Sequence, residues 1–125
     1  KYEEEGQEIF GKYLHEYKGI IIYFGHYKSR EVEKVLDKNS KDFRKFLHTL
    51  LHEIVHHLQY HEHSMVNVKL NPVESLRINS SLPWNARPHE IEAEKKAKEL
   101  EEKIMKRNDI ICKLLIIFAR TIDML

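Results

Sequence analysis

The stretch from Lys41 to about Tyr60 carries apolar residues at Phe43, Phe46, Leu47, Leu50, Leu51, Ile54, Val55 and Leu58. Spacings of three and four residues have the period of an α-helix and gather these side chains into one stripe. A stripe of that length needs a core to face, so the chain must fold around this helix. Ser40, just before it, is placed to cap its first turn. On the flank of the stripe stands His52-Glu53-Ile54-Val55-His56. Residues four apart stack on one helical face, so both imidazoles can approach a single ion from one direction. Chance would produce this pattern roughly 0.1 times in a chain so rich in histidine.

The HExxH spacing on a helix is that of a zinc site. His52 and His56 are the expected metal ligands. Glu53 is the expected catalytic base, taking a proton from a metal-activated water and passing it to a leaving amine. A catalytic zinc ion (Zn2+) usually has three protein ligands plus water, so a third ligand must come from elsewhere. The metzincin pattern would need glycine at position 59 and histidine at position 62, where this chain has Gln59 and Glu62. The remaining candidates are Glu90, His89, Glu94, His61, His63 and Cys112.

Glu90 is favoured. It stands in Arg87-Pro88-His89-Glu90-Ile91-Glu92-Ala93-Glu94, which opens a second helix after a long connection. Glu90 and Glu94 share a helical face, and Ala93 is small enough to let the two helices approach closely. Glu94 would then accept the free N–H of a zinc-bound imidazole. His89 adjoins the proposed ligand and is a candidate donor to a tetrahedral oxyanion. Tyr23, Tyr27 and Tyr60 are others. Glu92 is expected to point elsewhere, and Glu92, Glu99, Glu101 and Glu102 to be ordinary solvated charges. His48 shares the His52 face and reads as an outer helix histidine, the alternative being a residue that contacts substrate or supports a ligand. His57, His61 and His63 read as solvated, Trp84 as packing over the site and Cys112 as a small buried hydrophobe.

Elsewhere, Glu3 to Tyr17 has a helical apolar pattern. Ile20 to Phe24 is a β-branched and aromatic run bounded by glycines, hence a strand, with a possible role beside a substrate. A short helix is expected from Ser29 to about Leu36. From His61 to Pro88 the pattern dissolves into loop, with a weak second strand at Met65 to Leu70. A helix then runs from Pro88 through Ile104, and a last one from Ile110 to Leu125. The expected class is therefore α+β and predominantly helical, with a small β-ribbon and the HExxH helix in a single 1–125 domain.

With 125 residues, 42% apolar and 33% charged, the chain is sized for one core and is not of disordered composition. A formal net charge of +1 argues against nucleic acid as a partner. The most apolar run, Ile110 to Ala119, is too short to span a membrane. The single cysteine and the absence of a signal-peptide pattern at Lys1-Tyr2-Glu3-Glu4-Glu5 lead to an expected cytoplasmic location.

The HEIVH motif, the downstream Glu90-x-x-Ala93-Glu94 and the small size resemble the minigluzincins. These are minimal archaeal soluble metallopeptidases that mimic the catalytic core of CAAX-type and HtpX-type membrane proteases. The resemblance covers roughly residues 40 to 105. It implies a zincin-like domain, His52, His56 and Glu90 as zinc ligands, Glu53 as general base and Glu94 as the supporting acid, where the family usually has aspartate. It also implies a zymogen-like state in which the 109–125 segment blocks the cleft, although that segment is apolar enough to be core or a dimer surface. The function so implied is a zinc endopeptidase acting on a peptide or protein, as a monomer or weak dimer. The alternatives are an ImmA/IrrE-like regulatory protease and a catalytically inactive zinc-binding interaction module.

Overall fold

The structure is a computed structural model that describes residues 3–4, 7–23, 35, 37 and 40–106. Over these residues the architecture is α+β and mostly helical. Two short antiparallel hairpins lead the chain. Strands β1 (Glu3–Glu4) and β2 (Gln7–Glu8) pair, and β3 (Gly11–Leu14) pairs with β4 (Gly19–Ile22). Among the described residues three long α-helices follow: α1 (Lys41–Tyr60), α2 (Pro72–Ser81) and α3 (Pro88–Lys106). A single 3₁₀ turn, Trp84–Ala86, joins the last two. Among the described residues no helix is long and apolar enough to cross a membrane.

The helix expected over Glu3 to Tyr17 is absent, and hairpins occupy its place. A helix there would have carried Gly6 and Gly11 in its interior, at about 1 kcal/mol each. In β3 burial has period two, with Gly11 and Tyr13 buried and Lys12 and Leu14 half-buried. Lys18, at φ 51°, takes the left-handed conformation that closes the turn before Gly19. Gly11 is where β3 crosses α1. A Cβ there would stand 2.7 Å from Thr49 Cγ2 and 3.2 Å from the Ile21 carbonyl oxygen. The strand expected from Ile20 is β4, and Phe24 falls outside the described residues.

Helix α1 has the expected start and stripe. The Ser40 hydroxyl accepts from the Phe43 amide at 3.1 Å. Phe43, Phe46, Leu47, Leu50, Leu51 and Val55 are buried. All but Val55 pack with Val35 and Ala97, and Ile20, Ile22, Leu100 and Ile104 close that cluster from β4 and α3, while Val55 packs with Val66 and Ala93 in a second one. Val35 is helical, and apart from the exposed Asp37 it is what the described residues include of the short helix expected after Ser29. Ala93 and Ala97 are fully buried, and their size lets α3 pack close against α1.

The connection from His61 to Pro88 is more ordered than its composition suggests. No strand forms at Met65 to Leu70. Val66 and Leu70 are buried anchors there, and the Leu70 amide donates to the Gln59 carbonyl at 3.0 Å. Helix α2 lies inside the segment read as loop. Its start has a recognisable logic: the Asn71 side chain accepts from the Glu74 amide at 2.7 Å, and Pro72 occupies the first turn. Arg87, 3% exposed, ties α2 to α3 by donating to the carbonyls of Leu82 and Asn79. The 109–125 segment, with Cys112, lies outside the described residues, as does Tyr27.

Candidate metal centre

Helices α1 and α3 face each other through two rows of polar side chains. His52 and His56 lie one turn apart on α1, and Glu90 sits in the first turn of α3. Helix geometry dictates the first pair, and the positive end of α3 favours the carboxylate. The three side chains converge. His52 Nε2 lies 3.0 Å from Glu90 Oε2, His56 Nε2 lies 3.0 Å from Glu90 Oε1, and the two Nε2 atoms are 3.1 Å apart. Tetrahedral zinc with ligand bonds near 2.05 Å separates its donors by about 3.3 Å. The two Nε2 atoms stand a few tenths of an ångström closer than that, and each faces a different oxygen of Glu90, so a small dilation of the three side chains would admit the ion. Two imidazole nitrogens turned toward each other and toward one carboxylate suit a shared cation, and the donor set fits zinc.

Glu53 does not join that triangle, although its carboxylate lies within 4.8 Å of the two histidine donor atoms. It is 7% exposed, and the Tyr13 backbone amide donates to it. Burial pushes its pKa up, against the pull of His56 and His52. Glu90 behaves oppositely. Burial works against its charge, but hydrogen bonds from His52 and His56 outweigh it and hold the carboxylate well below its ordinary range. For His52, burial opposes protonation, while Glu90 and Glu94 raise its pKa to about 10.

Each imidazole has a partner on its other nitrogen. His52 Nδ1 lies 3.0 Å from Glu94 Oε2, the position expected of Glu94. His56 Nδ1 lies 2.8 Å from Gln59 Oε1. Gln59 is completely buried, and its Nε2 donates to the His89 carbonyl and to Glu92 Oε1, both at 3.0 Å. These contacts leave both Nε2 atoms facing Glu90.

The other expected residues sort as follows. His89 is buried beside the triangle, with Nε2 3.6 Å from Glu90 Oε1 and its ring 5.6 Å from that of His56. Its Nδ1 has no hydrogen-bond partner among the described residues. Burial pulls its pKa down to about 4, so the ring is neutral near pH 7. His61 and His63 lie away from the triangle. The His61 ring packs on His57, and His63 Nδ1 accepts from the Met65 amide. His57 is not simply solvated, since its Nδ1 lies 2.8 Å from the Tyr13 hydroxyl.

Two glutamates expected to be plain solvated charges are not. Glu92 accepts from the backbone amides of Asn67 and Val68 and from Gln59, so it fastens the 61–71 connection to α3. Glu101 is 9% exposed and bonds to Arg44 and His48. His48 is likewise engaged, by Glu94 as well as Glu101.

A cleft of about 400 Å³ opens beside Glu53, His56 and Glu90, walled by Tyr13, Tyr60 and Trp84. A second, of about 320 Å³, adjoins Glu53 on the His52 side, and Trp84 borders it too. The strand along the first cleft is β3, through Gly11, Lys12 and Tyr13, and not the Ile20 strand expected there.

Gln59 stands with His52 and His56 on one side of the α1 stripe, as helical spacing predicts, whereas Glu101 and Tyr13 are not expected at the site from sequence. Glu101 follows Glu94 by seven residues, so helical spacing could have found it. Tyr13 was hidden by the helical reading of its segment. Comparisons with models of known families, with curated proteins and with solved structures give no match to this chain.

Proposed function

We propose that this chain is a zinc-dependent endopeptidase of the glutamate type, with the zincin-like build and minigluzincin kinship that its motifs suggest. The observation that carries the reading is the convergence of His52 Nε2, His56 Nε2 and the Glu90 carboxylate at 3.0–3.1 Å, with Glu53 buried beside them. Zinc held by those three residues supplies a Lewis acid that acidifies water and polarises a carbonyl group.

The remaining chemistry belongs to the protein. The Glu53 carboxylate accepts the proton that water loses as its oxygen bonds to the carbonyl carbon. It returns that proton to the amide nitrogen as the carbon–nitrogen bond breaks. A carboxylate whose pKa is pushed up by burial suits both halves of that task. Neutral His89, buried next to Glu90, can donate an N–H to the developing oxyanion. An extended peptide lying along β3 would bring its scissile bond past Glu53.

The test is zinc content and hydrolysis of unfolded casein, measured on the full chain and on Glu90→Ala. The wild-type chain should hold one zinc and cleave casein, and a chelator should abolish cleavage. Glu90→Ala should lose most of its zinc. An unchanged zinc content in Glu90→Ala would remove Glu90 from the ligand set.

A further inference from the structure

The row of α1 that carries His52 and His56 continues toward the helix start with His48 and Arg44, each one turn further back. The facing row of α3 carries Glu90, Glu94 and Glu101. Between the rows the charges alternate. Arg44 Nε donates to Glu101 Oε1 at 2.7 Å. His48 Nδ1 lies 3.0 Å from Glu101 Oε2, and His48 Nε2 lies 2.6 Å from Glu94 Oε1. Glu94 Oε2 completes the path at His52 Nδ1, 3.0 Å away.

Direction matters in such a chain. An ionised carboxylate only accepts, so a ring with a carboxylate oxygen at each nitrogen donates twice. His48 is therefore a two-handed donor fixed between Glu94 and Glu101. The Glu94 side chain is 60% exposed, and His48 and His52 hold its two oxygens. Glu101, with a side chain 12% exposed, anchors His48 from the protein side, and Arg44 occupies its other oxygen.

We propose that His48, Glu101 and Arg44 are positioning residues of the metal centre, forming a chain of charge-assisted hydrogen bonds that clamps Glu94 and thereby fixes the His52 ring with Nε2 turned to the metal. This rests on the reading of His52, His56 and Glu90 as ligands. A plain interhelical staple would require the same pairs but would not act on a ligand. The chain predicts a graded loss of metal affinity, largest at His48 and smallest at Arg44, because each step further out acts through one more hydrogen bond.

The experiment compares full-length wild type, His48→Ala, His48→Gln, Glu101→Gln and Arg44→Ala. Zinc dissociation constants come from competition with a chromophoric chelator. The visible spectrum of the cobalt(II) form reports ligand geometry, and metal-free melting reports the fold. His48→Ala should bind zinc about 10-fold more weakly or worse, with an altered cobalt spectrum. His48→Gln keeps an N–H for Glu94 and should recover much of that loss. Glu101→Gln should fall between His48→Ala and wild type. If His48→Ala fails to fold, His48→Gln and Glu101→Gln carry the comparison. Wild-type affinity and cobalt spectrum in His48→Ala and Glu101→Gln would overturn the proposal. So would lowered melting with an unchanged cobalt spectrum, the mark of a staple. A wild-type chain that takes up no zinc would overturn the metal-centre reading itself and this inference with it, whereas failure of the variants alone to respond would leave that reading standing.

Discussion

His56 Nδ1 lies 2.8 Å from Gln59 Oε1, one helical turn further along α1 and wholly inside the protein. The amide oxygen can only accept, so His56 keeps a proton on Nδ1, and it is the Nε2 proton, donated to Glu90 in the metal-free chain, that a metal ion would displace. The same amide donates to the His89 carbonyl and to Glu92, joining α1, the start of α3 and the 61–71 connection at one side chain.

Gln59→Leu tests that junction. The substitution keeps volume but leaves the His56 N–H and the His89 carbonyl without their buried partner. Zinc affinity should drop roughly 10- to 100-fold. Stability should fall by about 1–3 kcal/mol, the typical consequence of an unpaired buried polar group. Chelator competition and urea unfolding measure the two effects. Unchanged zinc affinity would reduce Gln59 to a structural role.

Glu53 separates metal binding from turnover. It is buried beside the histidine pair but is not in contact with both donors as Glu90 is. Glu53→Gln should therefore keep one zinc per chain, by elemental analysis, while casein hydrolysis slows by about 10²- to 10⁴-fold. Turnover at the wild-type rate in a zinc-loaded Glu53→Gln chain would end the general-base assignment.

Zinc uptake should depend on pH with a definite sign. In the metal-free chain burial opposes charge on His52, yet Glu90 and Glu94 raise its pKa to about 10. His56 is raised too, burial again being outweighed by Glu90. Both must lose a proton to bind zinc, so uptake at pH 7 releases protons and apparent affinity climbs as pH rises. The metal-free fold responds in the opposite sense. The His52 contribution is fully present below the ordinary histidine value of about 6.5 and is lost as pH rises through about 10. Calorimetry in buffers of different ionisation enthalpy counts the released protons. Affinity that is flat from pH 6 to 8 would contradict the geometry.

How much of this could be read beforehand follows from where the determinants lie. Helix α1, its Ser40 cap and the pairing of Glu90 with the two histidines depend on spacings inside two long helices, which sequence displays directly. The N-terminal hairpins do not. Ile9, Phe10, Tyr13 and Leu14 fit a helical stripe, and against it stand the glycines at 6 and 11 and the packing of Gly11 on Thr49, which is distant in sequence. Helix α2 buries little more than Ser75 and Ile78, so periodicity was silent there, and Asn71-Pro72 with its capping bond carried the whole signal. Glu101 looked solvated because its neighbours Glu99 and Glu102 are exposed, and His48 and Arg44 on another helix determine otherwise.

Gly11 offers the sharpest test of how β3 is seated against α1. Gly11→Ala would put a methyl group 2.7 Å from Thr49 Cγ2 and 3.2 Å from a backbone carbonyl oxygen. The expected cost is about 1–3 kcal/mol, the range for overpacking a tight contact. Because Tyr13, two residues along β3, donates its amide to Glu53 and walls the cleft, the shift should also reduce casein turnover without releasing zinc. Thr49→Ser removes the offending methyl while keeping the hydroxyl that donates to the Lys45 carbonyl at 2.9 Å. The Gly11→Ala/Thr49→Ser double variant should therefore recover part of both losses, leaving the remainder to the Ile21 carbonyl contact. Urea unfolding and casein assays on the two single variants and the double would measure this coupling. Strict additivity would mean that β3 does not lie on α1 as described.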